Sequence, residues 1–436
     1  MKTLDSDIQS CVAELAVQLA DPDVVLAHTT RINSEAGLRV RDSRLIWSPT
    51  SLGSGYPGIS LFYSELSHHD DYYRAISDQY LKLAFAALQP DTTQGLYSGL
   101  TAVAFATRAA SKNGQEYSTA LLRLDDFIET YVHQVLAFEK SRRLAQAGPT
   151  SFSAYDVITG VAGIGRYLLS PGVRRPELLR EVLAYLVELT EPVEYEGNLL
   201  PGWWVAHSSE LGEKTGESHV NFGMSHGISG VLALLSLSWE AEERVAGQEE
   251  AIGRIVDWLL EQSVHDEFGM RWPATLSRSE YLSGHVVPAR NRPSWCYGSP
   301  SIARALQLAG QAVAETSWQD RATVAVVAAL SRLESHRDIE EPGLCHGWAG
   351  IMHTVGTMNR TLNLDTLATK RDEMLVRVLE TRISDAPFSF RNNSNAGSNL
   401  DAPGFSEGAA GVALSLLAGS ANHAPMTSWD QALLLT

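Results

Sequence analysis

The sequence predicts an all-α fold built from repeats, on three observations. A short glycine motif followed by an apolar stretch recurs along the 436 residues, the segments around the motifs have helical period, and strand-like alternation is scarce. The motif reads GYPGISLFY from Gly55, GLYSGLTAVAF from Gly95, YDVITGVAGIG from Tyr155 and MSHGISGVLAL from Met224. It returns as WCYGSPSIARAL from Trp295, LCHGWAGIMH from Leu344 and FSEGAAGVAL from Phe405. These seven copies have core glycines Gly58, Gly99, Gly160, Gly227, Gly298, Gly347 and Gly408. Their spacing of 41 to 71 residues leaves room for two helices and their loops in each unit.

Helical period appears just after the motif, where Ile302, Ala305, Leu306 and Ala309 fall at i, i+3, i+4 and i+7. It appears again between motifs, in the stripe Leu178, Val182, Tyr185, Leu186 and Leu189 and the stripe Ile252, Ile255, Val256 and Leu259. Small residues at the start of each motif helix permit close backbone approach. Helical hairpins of this kind form either an open solenoid or a closed α/α toroid. The first and last copies look as full as the others and lack a polar cap, which favours a ring. The chain thus reads as a single domain over 1–436. The long, uneven stretch at about 111–153, with β-branched and aromatic residues from Phe127 to Phe138, reads as a small inserted subdomain.

Composition narrows the function classes. A hydrophobic fraction of 44% with 19% charged residues describes a globular chain rather than a disordered one. The net charge of -17 argues against a nucleic-acid surface. Three cysteines, Cys11, Cys296 and Cys345, do not make a disulfide framework and fit a reducing cytoplasm. The start MKTLDSDIQSC carries acids and no apolar core, so no signal peptide is expected, and no run of about 18 apolar residues suggests a transmembrane span.

Two cysteines and a histidine carry the chemistry. Cys296 lies in SWCYGSP, and 49 residues on, GLCHGWAG supplies Cys345 and His346 side by side. Thiolates and imidazole suit zinc, and three protein ligands rather than four leave a position open for substrate. Such a site suits binding and deprotonating another thiol. Neighbouring copies five and six would bring the ligands together if their turns share one face. Cys11, on the stripe Ile8, Cys11, Val12, Leu15 and Leu19, reads as core, and Trp203 and Trp204 read as aromatic packing.

The strings SHGISG, SWCYGSP and GLCHGWAGI, in this order, with YDVITG upstream and seven helical repeats, resemble the lanthipeptide (lantibiotic) cyclase family, LanC and LanC-like proteins. The resemblance covers nearly the whole chain. It implies an α,α-toroid of seven inner and seven outer helices with a zinc ion at one mouth. The implied reaction is Michael-type addition of a cysteine thiol to dehydroalanine or dehydrobutyrine in a dehydrated precursor peptide, giving lanthionine and methyllanthionine rings. By the same pattern Cys296, Cys345 and His346 are the zinc ligands. Asp156 and His226 form the acid/base pair, and Arg292 and Tyr297 line the site. A separate dehydratase and a peptide exporter are the implied partners, in the cytoplasm or peripherally at the inner membrane face.

The residues account for that chemistry on physical grounds. A free thiol is mostly protonated at neutral pH, so zinc would bind it as thiolate and release the proton. Attack on the alkene leaves an enolate that Arg292 can stabilise and that His226, held by Asp156, can protonate. Tyr297 would position Arg292 or the substrate carbonyl. Two other readings keep the same residues: a LanC-like enzyme adding glutathione to dehydroamino acids, and a non-catalytic scaffold tied by zinc. A helical-toroid glycosidase is disfavoured, because it needs two facing carboxylates where this chain has Cys and His.

Overall fold

The computed structural model describes residues 2–35, 47–89, 94–112, 114–206, 218–285, 293–336, 339–393, 399–421 and 424–436. The chain divides into two compact units. Unit 1 comprises Met1–Thr93, Tyr97–Leu124 and Arg337–Asp430, and unit 2 comprises Gln94–Leu96, Asp125–His336 and Gln431–Thr436. Among the described residues the regular structure is helical apart from short three-residue strands in two-stranded antiparallel pairs. No described helix is long and apolar enough to cross a membrane.

Every copy of the motif starts a helix. In unit 2 these are Val161–Leu168, Ile228–Glu240 and Ser299–Ala312. In unit 1 they are Tyr56–Leu66, Gly99–Ala110, Trp348–Leu362 and Ala409–Ala421. The motif helices are buried nearly all round; Ile302, Ala305, Leu306 and Ala309 are completely covered. Burying one Leu or Ile side chain stabilises by about 1.5–3 kcal/mol, so tertiary packing rather than propensity holds these helices. The partner helices bury only one stripe. Leu178, Val182, Tyr185, Leu186 and Leu189 are covered on Pro176–Leu189, as are Ile252, Ile255, Val256 and Leu259 on Gln248–Glu261.

A tight turn explains the two glycines, three residues apart, in most copies. A Cβ on Gly160, Gly227, Gly347 or Gly408 would lie 2.2–2.4 Å from the backbone nitrogen four residues earlier. A Cβ on Gly163, Gly230, Gly350 or Gly411 would lie 1.8–2.4 Å from the carbonyl oxygen six residues earlier. The loop before each helix folds back over its first turn, and only glycine leaves room. The rule resets the register of the first copy. Gly58 would strike the Leu52 carbonyl, six residues back, so it matches the second glycine, and Gly55, which precedes Tyr56–Leu66, matches the first.

Single backbone hydrogen bonds link the turns of neighbouring copies. In unit 2, Val157 N–H donates to the Ser225 carbonyl at 3.0 Å and Ser225 N–H to the Cys296 carbonyl at 3.5 Å. In unit 1, Cys345 N–H donates to Ser406, Ser406 N–H to Gly53 and Leu52 N–H to Tyr97, at 2.9–3.0 Å. Copies six, seven, one and two therefore follow one another in unit 1, so the last copy adjoins the first. The N-terminal helix Lys2–Gln18 completes this junction by packing on Ala409–Ala421. Tyr63 Oη donates to the Ala16 carbonyl at 2.8 Å, Tyr80 Oη donates to Leu19 at 2.6 Å, and Arg382 pairs with Glu14. In unit 1 the seventh motif helix also packs on the first, Tyr56–Leu66.

The stretch at about 111–153 forms the 27-residue helix Ser118–Leu144 and the short helix Phe152–Tyr155. Cys11 is core, as expected, and burial pushes its thiol up to about 11. Trp203 and Trp204 are buried, with the Trp203 ring edge-on to Trp258 at 5.2 Å.

Candidate metal and proton-transfer site

Unit 2 holds Asp156, His226, Cys296 and Tyr297. Asp156 closes the helix Phe152–Tyr155 and is fully buried. Its Oδ1 accepts from Thr159 N–H at 2.7 Å, Gly160 N–H at 2.8 Å and Thr159 Oγ1 at 3.1 Å. Its Oδ2 takes His226 Nδ1 at 2.5 Å. The YDVITG string is thus a turn whose aspartate fixes both its own loop and a histidine 70 residues away. The carboxylate thus fixes Nδ1 and, with it, the orientation of the imidazole. Tyr155, also fully buried, donates from Oη to the His226 carbonyl at 3.2 Å and fixes the backbone. Burial and the nearby Asp156 hold the Tyr155 phenol well above its ordinary value, so it stays a neutral donor. The rings of Phe152 and Tyr297 lie against the His226 imidazole, at centroid distances of 5.1 and 6.2 Å.

Cys296 stands in a turn tied by Ser294. The Ser294 hydroxyl accepts Tyr297 N–H at 3.0 Å and donates to the Tyr297 carbonyl at 2.7 Å. Trp295 anchors the turn in the core by donating Nε1–H to the Leu433 carbonyl at 2.9 Å. The Cys296 carbonyl receives the Ser225 N–H, and a Cβ at Gly223 would lie 2.2 Å from it. The turn that carries His226 therefore packs directly on the turn that carries Cys296. Arg292 lies outside the described residues.

Unit 1 holds Cys345 and His346. The Cys345 backbone is fixed by the Ser406 carbonyl, and His346 Nδ1 donates to Glu407 Oε1 at 2.5 Å. This turns His346 Nε2 toward Cys345 Sγ, at 3.9 Å. Two donors on one tetrahedral zinc, at about 2.3 Å for sulfur and about 2.0–2.1 Å for nitrogen, stand roughly 3.5 Å apart, so the pair fits a shared ion. Cys296, the third expected donor, stands in unit 2. His353, a turn beyond this motif, is buried against Asp430 at 3.2 Å and the Trp429 ring at 4.7 Å, and packs rather than ligates.

Sequence reasoning missed Glu407, Tyr155, Phe152 and Ser294. The signal for Glu407 was present: it occupies the position just before the first motif glycine, as do His226, Tyr297 and His346 in their own copies.

Comparison with known proteins places this geometry. No curated protein matches the chain significantly. Among solved structures, one titled nisin cyclase matches with a TM-score of 0.73 at 23% identity, covering 94% of this chain and 97% of that one. The chain shares the α/α toroid fold of that structure. The family model described as lanthionine synthetase C-like protein matches residues 46–434. That match spans nearly the whole chain and every described site residue, and the chain belongs to the lanthionine synthetase C-like family.

Proposed function

We propose that the chain is a zinc-dependent lanthionine cyclase, closing thioether rings in a dehydrated precursor peptide. The observation that supports this reading most is the juxtaposition within unit 2. A histidine held by a buried carboxylate sits on a turn hydrogen-bonded to the turn of Cys296. A purely structural metal site has no use for an oriented proton carrier beside a ligand. In this reading Cys296, Cys345 and His346 hold the ion. Zinc bound there supplies a Lewis acid with an open position that favours the thiolate form of a substrate cysteine.

The protein's own residues do the rest. The substrate sulfur bonds to Cβ of dehydroalanine or dehydrobutyrine, the thiol proton is released, and Cα takes up one proton. His226 delivers that proton from Nε2, while Asp156 holds Nδ1 and keeps the ring in one orientation. Phe152 and Tyr297 confine the imidazole, and Arg292 neutralises charge developing on the enolate oxygen. The dehydroamino acids arise by loss of water from Ser or Thr, so a separate dehydratase precedes this step. By family resemblance a peptide exporter follows it, and the chain works in the cytoplasm or peripherally at the inner membrane face.

The test is incubation of zinc-loaded protein with a dehydrated, cysteine-containing precursor peptide, followed by thiol trapping. The reading requires one trapped thiol fewer per ring at unchanged peptide mass, and one dominant diastereomer on chiral analysis of the hydrolysate. Uptake of glutathione with the peptide thiols untouched would replace it with the glutathione-adding reading. No thiol consumption under either condition would remove both.

A further inference from the structure

Glu407 has no part in the chemistry above, yet the structure ties it to a proposed metal ligand. It precedes Gly408 in the seventh copy, and its Oε1 lies 2.5 Å from His346 Nδ1 in the sixth. The next nitrogen of the same ring, Nε2, faces Cys345 Sγ. The residue just before Glu407 provides the carbonyl that receives the Cys345 N–H at 2.9 Å. Gly343 makes the fit possible, since a Cβ there would stand 2.6 Å from Glu407 Oε2 and 3.1 Å from its Cα. One turn of copy seven therefore fixes both the backbone of Cys345 and the ring of His346. As a plain ion pair the contact would contribute little, because the two side chains are 46% and 34% exposed.

We propose that Glu407 is a positioning residue for the metal: it accepts the His346 Nδ1–H, selects that tautomer and presents Nε2 as the ligand. A carboxylate behind a metal-bound imidazole orients the ring and raises its donor strength, and losing such a partner typically costs about 10–100-fold in metal affinity. The inference rests on the zinc reading above and deepens it.

Zinc affinity, measured by competition with a chromophoric chelator, tests it on the full chain. Glu407→Ala and Glu407→Leu should bind zinc about 10–100-fold more weakly than wild type. Glu407→Gln, whose amide oxygen still accepts the Nδ1–H, should stay within a few fold. In the cobalt-substituted protein the thiolate charge-transfer band should persist in all variants, while the d–d bands move only in the Ala and Leu forms. Glu407→Leu keeps the side-chain volume, so it carries the test if Glu407→Ala does not fold. Wild-type affinity and unshifted d–d bands in the Ala or Leu variant would overturn the proposal. So would a Gln variant as weak as they are, because charge rather than positioning would then be at work. A wild-type protein that takes up no zinc would instead overturn the metal reading itself.

Discussion

Each unit of the chain holds one histidine by a carboxylate at 2.5 Å, yet the two pairs have different surroundings. In unit 2 the acid, Asp156, comes from the preceding copy, is fully buried and is clamped by its own turn. Its histidine side chain is 15% exposed and flanked by two aromatic rings. In unit 1 the acid, Glu407, comes from the following copy, and both partners are open to solvent. Its histidine lies next to a cysteine, with Nε2 facing sulfur. Both histidines precede the first glycine of the same motif. The backbone turn is therefore common property, and in the proposed function it is the neighbouring copy that sets one imidazole to carry protons and the other to bind metal.

The largest effect should follow from removing the thiol beside His346. Cys345→Ala should bind no zinc and form no rings, as read by elemental analysis and thiol trapping, and chelation should reproduce the loss reversibly in the wild type. Retained activity without metal would dissolve the distinction between the pairs.

A smaller effect is expected from Asp156→Asn. The amide oxygen can still cap Thr159 and Gly160, but the group no longer fixes His226 as a carboxylate does. Zinc content should be unchanged, and ring closure should slow by less than removal of His226 slows it. Loss of zinc in this variant would show that the two pairs are not separable.

Gly411→Ala probes the shared turn. Its Cβ would meet the Phe405 carbonyl at 1.8 Å, within the loop that carries Ser406 and Glu407. Overpacking of this kind costs about 1–3 kcal/mol, and the displaced loop should also weaken zinc binding. Wild-type melting and metal affinity would mean the turn tolerates what its geometry forbids.

The smallest effect lies away from both histidines and serves as a control. In unit 2, Asp266 bonds Arg332 at 2.7 Å and pairs with Arg271. The Arg332 hydrogen bond holds its carboxyl down at about 2, against an ordinary value of 3.8. A carboxylate depressed in the folded state contributes stability above its unfolded value, and that contribution fades as pH falls from about 4 toward 2. After solvent screening, Asp266→Asn should cost about 1 kcal/mol at neutral pH, shrinking to nothing near pH 2, with zinc binding intact. Denaturant titrations at several pH values measure it; a cost that stays constant down to pH 2 would contradict the assignment.

Much of this was legible in the sequence, because the motif repeats its own physics. Glycine pairs marked the turns, helical stripes marked the buried faces, and Asp156, His226, Cys296, Cys345 and His346 all lay in or beside those turns. Other features were hidden for physical reasons. The string GYPG in copy one contains two glycines three apart, and only the clash with Leu52 tells which begins the helix. The stripe Ile8 to Leu19 announced burial but not that its partner is the last motif helix, some 400 residues away. The region from Phe127 to Phe138 looked irregular because both phenylalanines stand exposed on one long helix and break its apolar period. A glutamate before a glycine, as at Glu407, looks like an ordinary solvated turn residue until its partner in the previous copy is seen. The paired strands are three residues long, too short for alternation to register.

The division of labour between the two histidines is tested most directly by His226→Asn, with zinc content and ring closure measured on the same sample. The variant should carry as much zinc as the wild type and close rings roughly 10²–10⁴-fold more slowly, while remaining faster than the uncatalysed reaction. A His226→Asn protein that has lost its zinc, or that closes rings at the wild-type rate, would contradict the assignment of His226 as the proton carrier.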